Sequence, residues 1–216
     1  MTEQNFEQMR RAMVACQLRT TGVNDPRVLA AMGAVPRERF VPPERTGTAY
    51  ADAVIPLSER RALNSPMALG KLLAEAAPAP GERAMVIGAG TGYAAAVLTR
   101  LCGSVVAVEE EPELMARAKQ LIAADAVTFV DGPLSAGYAE GAPYDLILVD
   151  GAIEEVPAAL VEQLAPDGRI ALGLVERGVQ RLAIGRRGGS GFAVVPFADA
   201  ASAPLPGFAP PQTFTF

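Results

Sequence analysis

Histidine and tryptophan are missing from this 216-residue chain, and cysteine occurs only twice, as Cys16 and Cys102. Without an imidazole there is no H-E-x-x-H zinc site, no Cys/His finger and no Ser-His-Asp relay, so those classes are excluded by inventory. The two cysteines lie far apart with no pairing pattern. Charge is sparse as well: 20% of residues are Asp, Glu, Lys or Arg, and the net charge is −5. The basic pairs Arg10-Arg11, Arg60-Arg61 and Arg186-Arg187 are scattered and read as solvated. That argues against nucleic acid as a partner, because phosphate neutralisation needs a basic face. No apolar run reaches membrane-spanning length and Met1–Phe6 lacks an apolar signal core, so no membrane is expected and a reducing cytoplasm is the simplest home. A hydrophobic content of 50% supplies a full core and suits one domain with an elaboration.

The chain is organised around Ala84-Met85-Val86-Ile87-Gly88-Ala89-Gly90-Thr91-Gly92-Tyr93, an apolar run that breaks into glycines and resumes as Ala94–Leu98. It reads as strand, tight turn and helix start. Glycines at 88, 90 and 92 permit positive φ and leave no Cβ between the backbone and a ligand. The dinucleotide fingerprint G-x-G-x-x-G needs a glycine where this chain has Tyr93, so a nicotinamide cofactor ranks last. A G-x-G-x-G turn followed by an aromatic suits S-adenosylmethionine better. Ser104–Val108 then forms a second strand ending at Glu109, about 20 residues past the first glycine, where a carboxylate accepts ribose hydroxyls.

In chain order, residues 4–19 carry Phe6, Met9, Met13 and Cys16 near helical spacing, closed at Gly22. Asn24-Asp25-Pro26 caps a second helix. Val35–Leu57 is too rich in proline for regular structure and is expected as a clamped surface loop. Asn64 or Ser65 caps a helix over Pro66–Ala77, or faces substrate instead. Pro78-Ala79-Pro80-Gly81 divides a helical lead-in, 1–80, from a sheet domain, 81–216. There, strands alternate with helices: Pro112–Ala124 is a helix, Val127–Val130 a strand ending at Asp131-Gly132, and Asp145–Val149 a strand ending at Asp150. A helix at Pro157–Leu164 precedes a strand at Arg169–Leu172, and Gly188–Gly191 turns a hairpin between Arg181–Ile184 and Phe192–Phe197. The tail Ala203–Phe216 is expected extended against the body. The alternation predicts an α/β fold with a parallel sheet, whose ligand lies beyond the strand tips at the switch point. Gly88, Gly90, Thr91, Gly92, Tyr93, Glu109, Glu110, Asp131, Gly132 and Asp150 are the residues expected there. Asp131 suits an adenine amino group, and Asp150 the reactive end.

Met13-Val14, Gln17-Leu18, Gly22-Val23, Val35-Pro36-Arg37-Glu38-Arg39-Phe40-Val41-Pro42 and Ala49-Tyr50-Ala51-Asp52 resemble the N-terminal region of protein-L-isoaspartate O-methyltransferases. The likeness continues through Ile87–Tyr93, Asp131-Gly132, Gly137–Glu140, Ala142–Asp145, Val156-Pro157 and Glu162–Leu164. It implies a class I S-adenosylmethionine-dependent methyltransferase fold, Rossmann-like, with a seven-stranded, mostly parallel sheet carrying helices on both faces and a helical N-terminal lead-in. It also implies a methyl donor without a metal and a protein or peptide acceptor carrying isoaspartyl residues; a monomer is expected.

Three positions depart from that family. Its members carry Thr-Ile-Ser-Gln-Pro where this chain has Ala62-Leu63-Asn64-Ser65-Pro66, so Asn64 stands at the catalytic serine position, with Ser65 next to it. Val86 replaces an acid before the Ile-Gly of the glycine loop. Asp150-Gly151-Ala152 replaces a small neutral run and adds a carboxylate near an anionic acceptor, which opposes binding unless Asp150 stands in for the missing acid. Two alternatives stay open: a methyltransferase with another peptide or small-molecule acceptor, and a non-catalytic relative that only binds ligand or partner.

Overall fold

The computed structural model describes residues 5–188 and 191–208. The first helix, α1 (Phe6–Ala12), is capped by Asn5, whose side chain accepts the Gln8 N–H, and widens into a π-helical turn over Met13–Leu18. Gly22 closes this lead-in with φ +96°, a conformation glycine adopts without Cβ strain. Asp25 then caps α2 (Pro26–Ala34), accepting from the backbone of Arg27 and Val28.

The proline-rich stretch after α2 corrects the expected surface loop. It forms 3-10 turns at Arg37–Phe40 and Pro43–Thr48, and Arg37, Phe40, Val41, Ala49, Tyr50 and Ile55 are buried. The fixed φ of proline shapes the path, while the Arg37 guanidinium satisfies the carbonyls of Ala49 and Asn64 at 2.7 and 2.5 Å. A two-residue hairpin, β1 (Ile55–Pro56) and β2 (Ala62–Leu63), leads into α3 (Pro66–Ala76).

From there strands and helices alternate as β3 (Arg83–Ile87), α4 (Tyr93–Leu98), β4 (Ser104–Glu109), α5 (Pro112–Leu121) and β5 (Thr128–Asp131). They continue as β6 (Tyr144–Ile153), α6 (Ala158–Glu162), β7 (Leu164–Glu176), β8 (Val179–Gly188) and β9 (Gly191–Asp199). Seven strands form one sheet in the order β5-β4-β3-β6-β7-β8-β9, in which β8 alone runs opposite to the rest and so pairs antiparallel with both β7 and β9. Period-two alternation divides the core into two faces. Ala84, Val86, Val105 and Ala107 join the side covered by the lead-in and α4, whereas Met85, Ile87, Val106 and Val108 join the side covered by α6 and the chain's last described residues.

Strand order reverses about β3: β4 and β5 build outward on one side, and β6 pairs on the other. That is the switch point, and it opens where β3 ends at Ile87. β6 outruns it, since its last β3 partner is Val149 while the strand continues through Asp150 to Ile153 with a register shift against β7. Asp150 therefore lies within a strand rather than just past one. α5 is also shorter than the expected Pro112–Ala124, because Ile122 already has extended dihedrals.

Among the described residues, no helix is long and apolar enough to cross a membrane. The expected extended tail is seen as far as Phe208, with Ala203, Leu205 and Phe208 buried; 209–216 lie outside the described residues.

Candidate active site

The glycine loop has the left-handed backbone that its glycines permit without strain. Gly88, Gly90 and Gly92 have φ of +76°, +56° and +94°. The Gly88 and Ala89 N–H groups both donate to the Val108 carbonyl, locking the loop against the end of β4. At that end sits Glu109, fully buried, whose carboxylate accepts from the backbone of Gly90 at 2.6 Å, Glu110 at 3.0 Å and Glu111 at 3.2 Å. Asp131 is its register neighbour on β5 and is exposed, with Gly132 donating back to the Glu109 carbonyl. Glu110 meets Arg60 at 3.5 Å near the surface. The structure thus brings Gly88, Gly90, Glu109, Glu110, Asp131 and Gly132 together at the tips of β3, β4 and β5.

Two of the expected ligand residues turn elsewhere. The Thr91 hydroxyl donates to the Phe40 carbonyl at 2.5 Å, and Tyr93 is wholly buried, edge-on to Phe40 and 4.8 Å below the Arg37 guanidinium. Burial pushes the Tyr93 phenol up, with Arg37 opposing. Both side chains fasten the glycine loop to the lead-in instead of facing a ligand. Gly92 acts similarly: a Cβ there would come within 2.8 Å of Ile122, so it permits close approach of α5.

On the acceptor side, Asn64 is buried and both polar atoms of its amide are hydrogen-bonded. Its Nδ2 donates to Asp150 Oδ1 at 2.7 Å, and its Oδ1 accepts from the Ala203 N–H at 2.7 Å. Ser65 performs the capping role, its hydroxyl accepting the Ala68 N–H at 3.2 Å to start α3. Burial pushes the Asp150 carboxyl above the usual carboxylate range, while the Asn64 amide and the charges of Arg61 and Arg37 pull the other way.

Sequence reading missed Arg61 and Leu205. Arg61, expected to be solvated like Arg60, is 3% exposed and forms a bidentate pair with Glu109, Nη2 at 2.9 Å and Nε at 3.3 Å. A signal was available in the β2 hairpin, where alternation puts Arg61 and Leu63 on the inward face together. Leu205 lies on Gly88 and Gly151; a Cβ added to Gly88 would come within 2.7 Å of Arg61 Nη2 and 2.9 Å of Leu205 Cδ2. A donor with a ribose diol suits the acceptor-rich Glu109 and the bare glycine backbone beside it. In this conformation, the chain's own side chains fill that space.

The family model described as protein-L-isoaspartate(D-aspartate) O-methyltransferase matches residues 9–198. A protein-L-isoaspartate O-methyltransferase 2 of Marinobacter nauticus is 41% identical over 212 residues, covering 94% of this chain and 95% of its own. A Methanoregula boonei protein-L-isoaspartate O-methyltransferase is 40% identical over 184 residues, covering 84% and 85%. Among solved structures, one protein-L-isoaspartate O-methyltransferase superposes with a TM-score of 0.77 at 24% identity over 94% of this chain, which spans 66% of that longer protein. A Plasmodium falciparum protein assigned to the same enzymes, in complex with S-adenosyl-L-homocysteine, gives 0.76 at 19% identity over 94% of this chain and 99% of its own. At such identities, the superpositions establish the seven-stranded class I methyltransferase fold. Together with the residue match along most of its length, they lead to one assignment: this chain belongs to the protein-L-isoaspartate(D-aspartate) O-methyltransferase family.

Proposed function

We propose that this protein is an S-adenosylmethionine-dependent O-methyltransferase acting on isoaspartyl carboxylates in proteins or peptides. Family membership supports the reaction, and one observation carries the donor side: a buried carboxylate at the tip of β4, Glu109, held by the Gly90 N–H beside a glycine-lined switch point. Glu109 would hold the ribose hydroxyls, Asp131 the base edge, and Gly88 and Gly90 the backbone side. Residues 1–80 contribute the acceptor-side loop, and 81–216 the donor side.

When bound, the donor supplies an electrophilic sulfonium methyl. The acceptor carboxyl, with an ordinary pKa of ~4, is already ionised at neutral pH and needs no general base. The remaining tasks are alignment and exclusion of water, which fit a chain without histidine. Asn64 donates to Asp150, and once its amide is released it would orient the acceptor, while the Asp150 carboxyl limits the negative charge the site tolerates.

The test is methyl transfer from labelled donor to an isoaspartyl peptide beside its aspartyl twin. Base-labile label on the first alone supports the reading; label on neither, with donor binding intact, redirects it to another acceptor. The second reading, a relative that no longer takes the donor, rests on Arg61 and Leu205 filling the cleft. Its mark is the absence of donor binding.

A further inference from the structure

Arg61 occupies the place at Glu109 that the donor reading gives to a ribose. Both Glu109 oxygens already have backbone donors, from Gly90, Glu110 and Glu111, so the carboxylate is anchored whether or not Arg61 is present. The guanidinium is less well provided for: Nη1 is buried without a hydrogen-bond partner among the described residues. An unpartnered buried donor weakens the seated state. Arg61 also ends the turn of a hairpin whose strands are two residues each, with Glu59 and Arg60 exposed, so its withdrawal breaks little structure.

Leu205 arrives from the opposite direction. Residues Ser202–Phe208 form a strap across the tips of β6 and β7. Where β6 has outrun β3, the Ala152 N–H donates to the Ala203 carbonyl at 2.7 Å and the Leu205 N–H to the Ala152 carbonyl at 3.0 Å. Asn64 Oδ1 takes the Ala203 N–H, and Gln180 Oε1 takes the Ser202 N–H at 3.0 Å. These few bonds and the buried Leu205 hold the strap in place of a full ladder. Within the strap, Ser202 Oγ is itself buried and unpartnered among the described residues.

We propose that Arg61 and Leu205 form an internal stopper, which competes with the methyl donor for Glu109 and the glycine loop and must withdraw from both before the donor enters. The inference rests on the donor reading. Because the strap is also bonded to Asn64, opening the donor side releases the acceptor amide, which makes acceptor binding follow donor binding.

The test titrates S-adenosyl-L-homocysteine into the full chain, into Leu205→Ala and into Arg61→Gln by calorimetry, and follows hydrogen exchange of the Ala152, Ala203 and Leu205 amides. Circular dichroism checks that each variant is folded, and Leu205→Ala stands alone if Arg61→Gln is not. A closed state that dominates the free protein lowers apparent affinity by its population, so each variant should bind about tenfold tighter or better. In the parent, saturating ligand should speed exchange at Ala203 and Leu205. Equal affinities with unchanged exchange overturn the stopper and leave the donor reading standing. Absence of binding in the parent and both variants overturns the two together.

Discussion

Two arginine–glutamate pairs, one wholly buried at the strand tips and one half-buried at the strand starts, lie at opposite ends of the sheet, and their surroundings give them different roles. At the start of the strands, Arg169 meets Glu82 at 2.8 and 2.9 Å, and its remaining N–H groups go to the carbonyls of Ala76, Ala77 and Asp145. It thereby closes the C-terminus of α3, where Ala77 turns left-handed with φ +48°, and ties that helix to β3, β6 and β7. Arg61 at the strand tips has, among the described residues, Glu109 as its only side-chain partner, and one of its amino groups has none. The first pair is a clamp made of satisfied bonds. The second is a contact that another hydrogen-bonding group can replace.

The largest expected effect tests the clamp. Arg169→Ala removes the donor to the carbonyls of Ala76, Ala77 and Asp145 as well as the partner of the half-buried Glu82, and should lower stability by about 2–4 kcal/mol, read from the denaturant midpoint. Arg61→Gln should cost less, about 1–2 kcal/mol, because Glu109 keeps three backbone donors. Equal losses would make the two pairs alike and erase the contrast. Ser65→Ala should remove about 1 kcal/mol through the lost cap; a fall in methyl transfer much beyond that fraction unfolded would give the hydroxyl a substrate role.

The smallest effect is a pH dependence. Burial pushes the Glu82 carboxyl up, but its bonds from Arg169 and the Ala79 N–H outweigh that and leave it below its ordinary 4.5. A depressed carboxyl contributes stability that is present above 4.5 and lost as pH falls through its folded value. Glu82→Gln should therefore flatten that acid limb. Asp150 works in the reverse sense, because its raised pKa makes protonation favour the folded state as pH falls.

The clamp, the glycine loop and the sheet differ in how far the sequence discloses them. Strand, glycine turn and acid stand in order between Ala84 and Glu109, since backbone geometry there demands particular residue types. The parallel sheet follows from alternating apolar runs, and the β8–β9 hairpin from its glycines. Arg169 gives no such sign, because its partners come from residues 76, 77, 82 and 145 and meet only after folding. The proline-rich stretch misleads for a related reason: proline fixes φ without deciding burial, and the Arg37 bonds to Ala49 and Asn64 bury the segment. Thr91 and Tyr93 occupy ligand-like positions in the sequence, yet contact with Phe40 turns them inward. Burial also pushes the Cys102 thiol up to about 12, in keeping with a packing residue.

Gly151 has a use that follows from its neighbours. Its backbone is not left-handed, so alanine is free of local strain, and the nearest atoms an added methyl would meet are those of Leu205 and the Ala203 carbonyl oxygen. One carbon there acts as a wedge under the strap, prising the cleft open while the glycine loop, Glu109 and Arg61 keep their native chemistry.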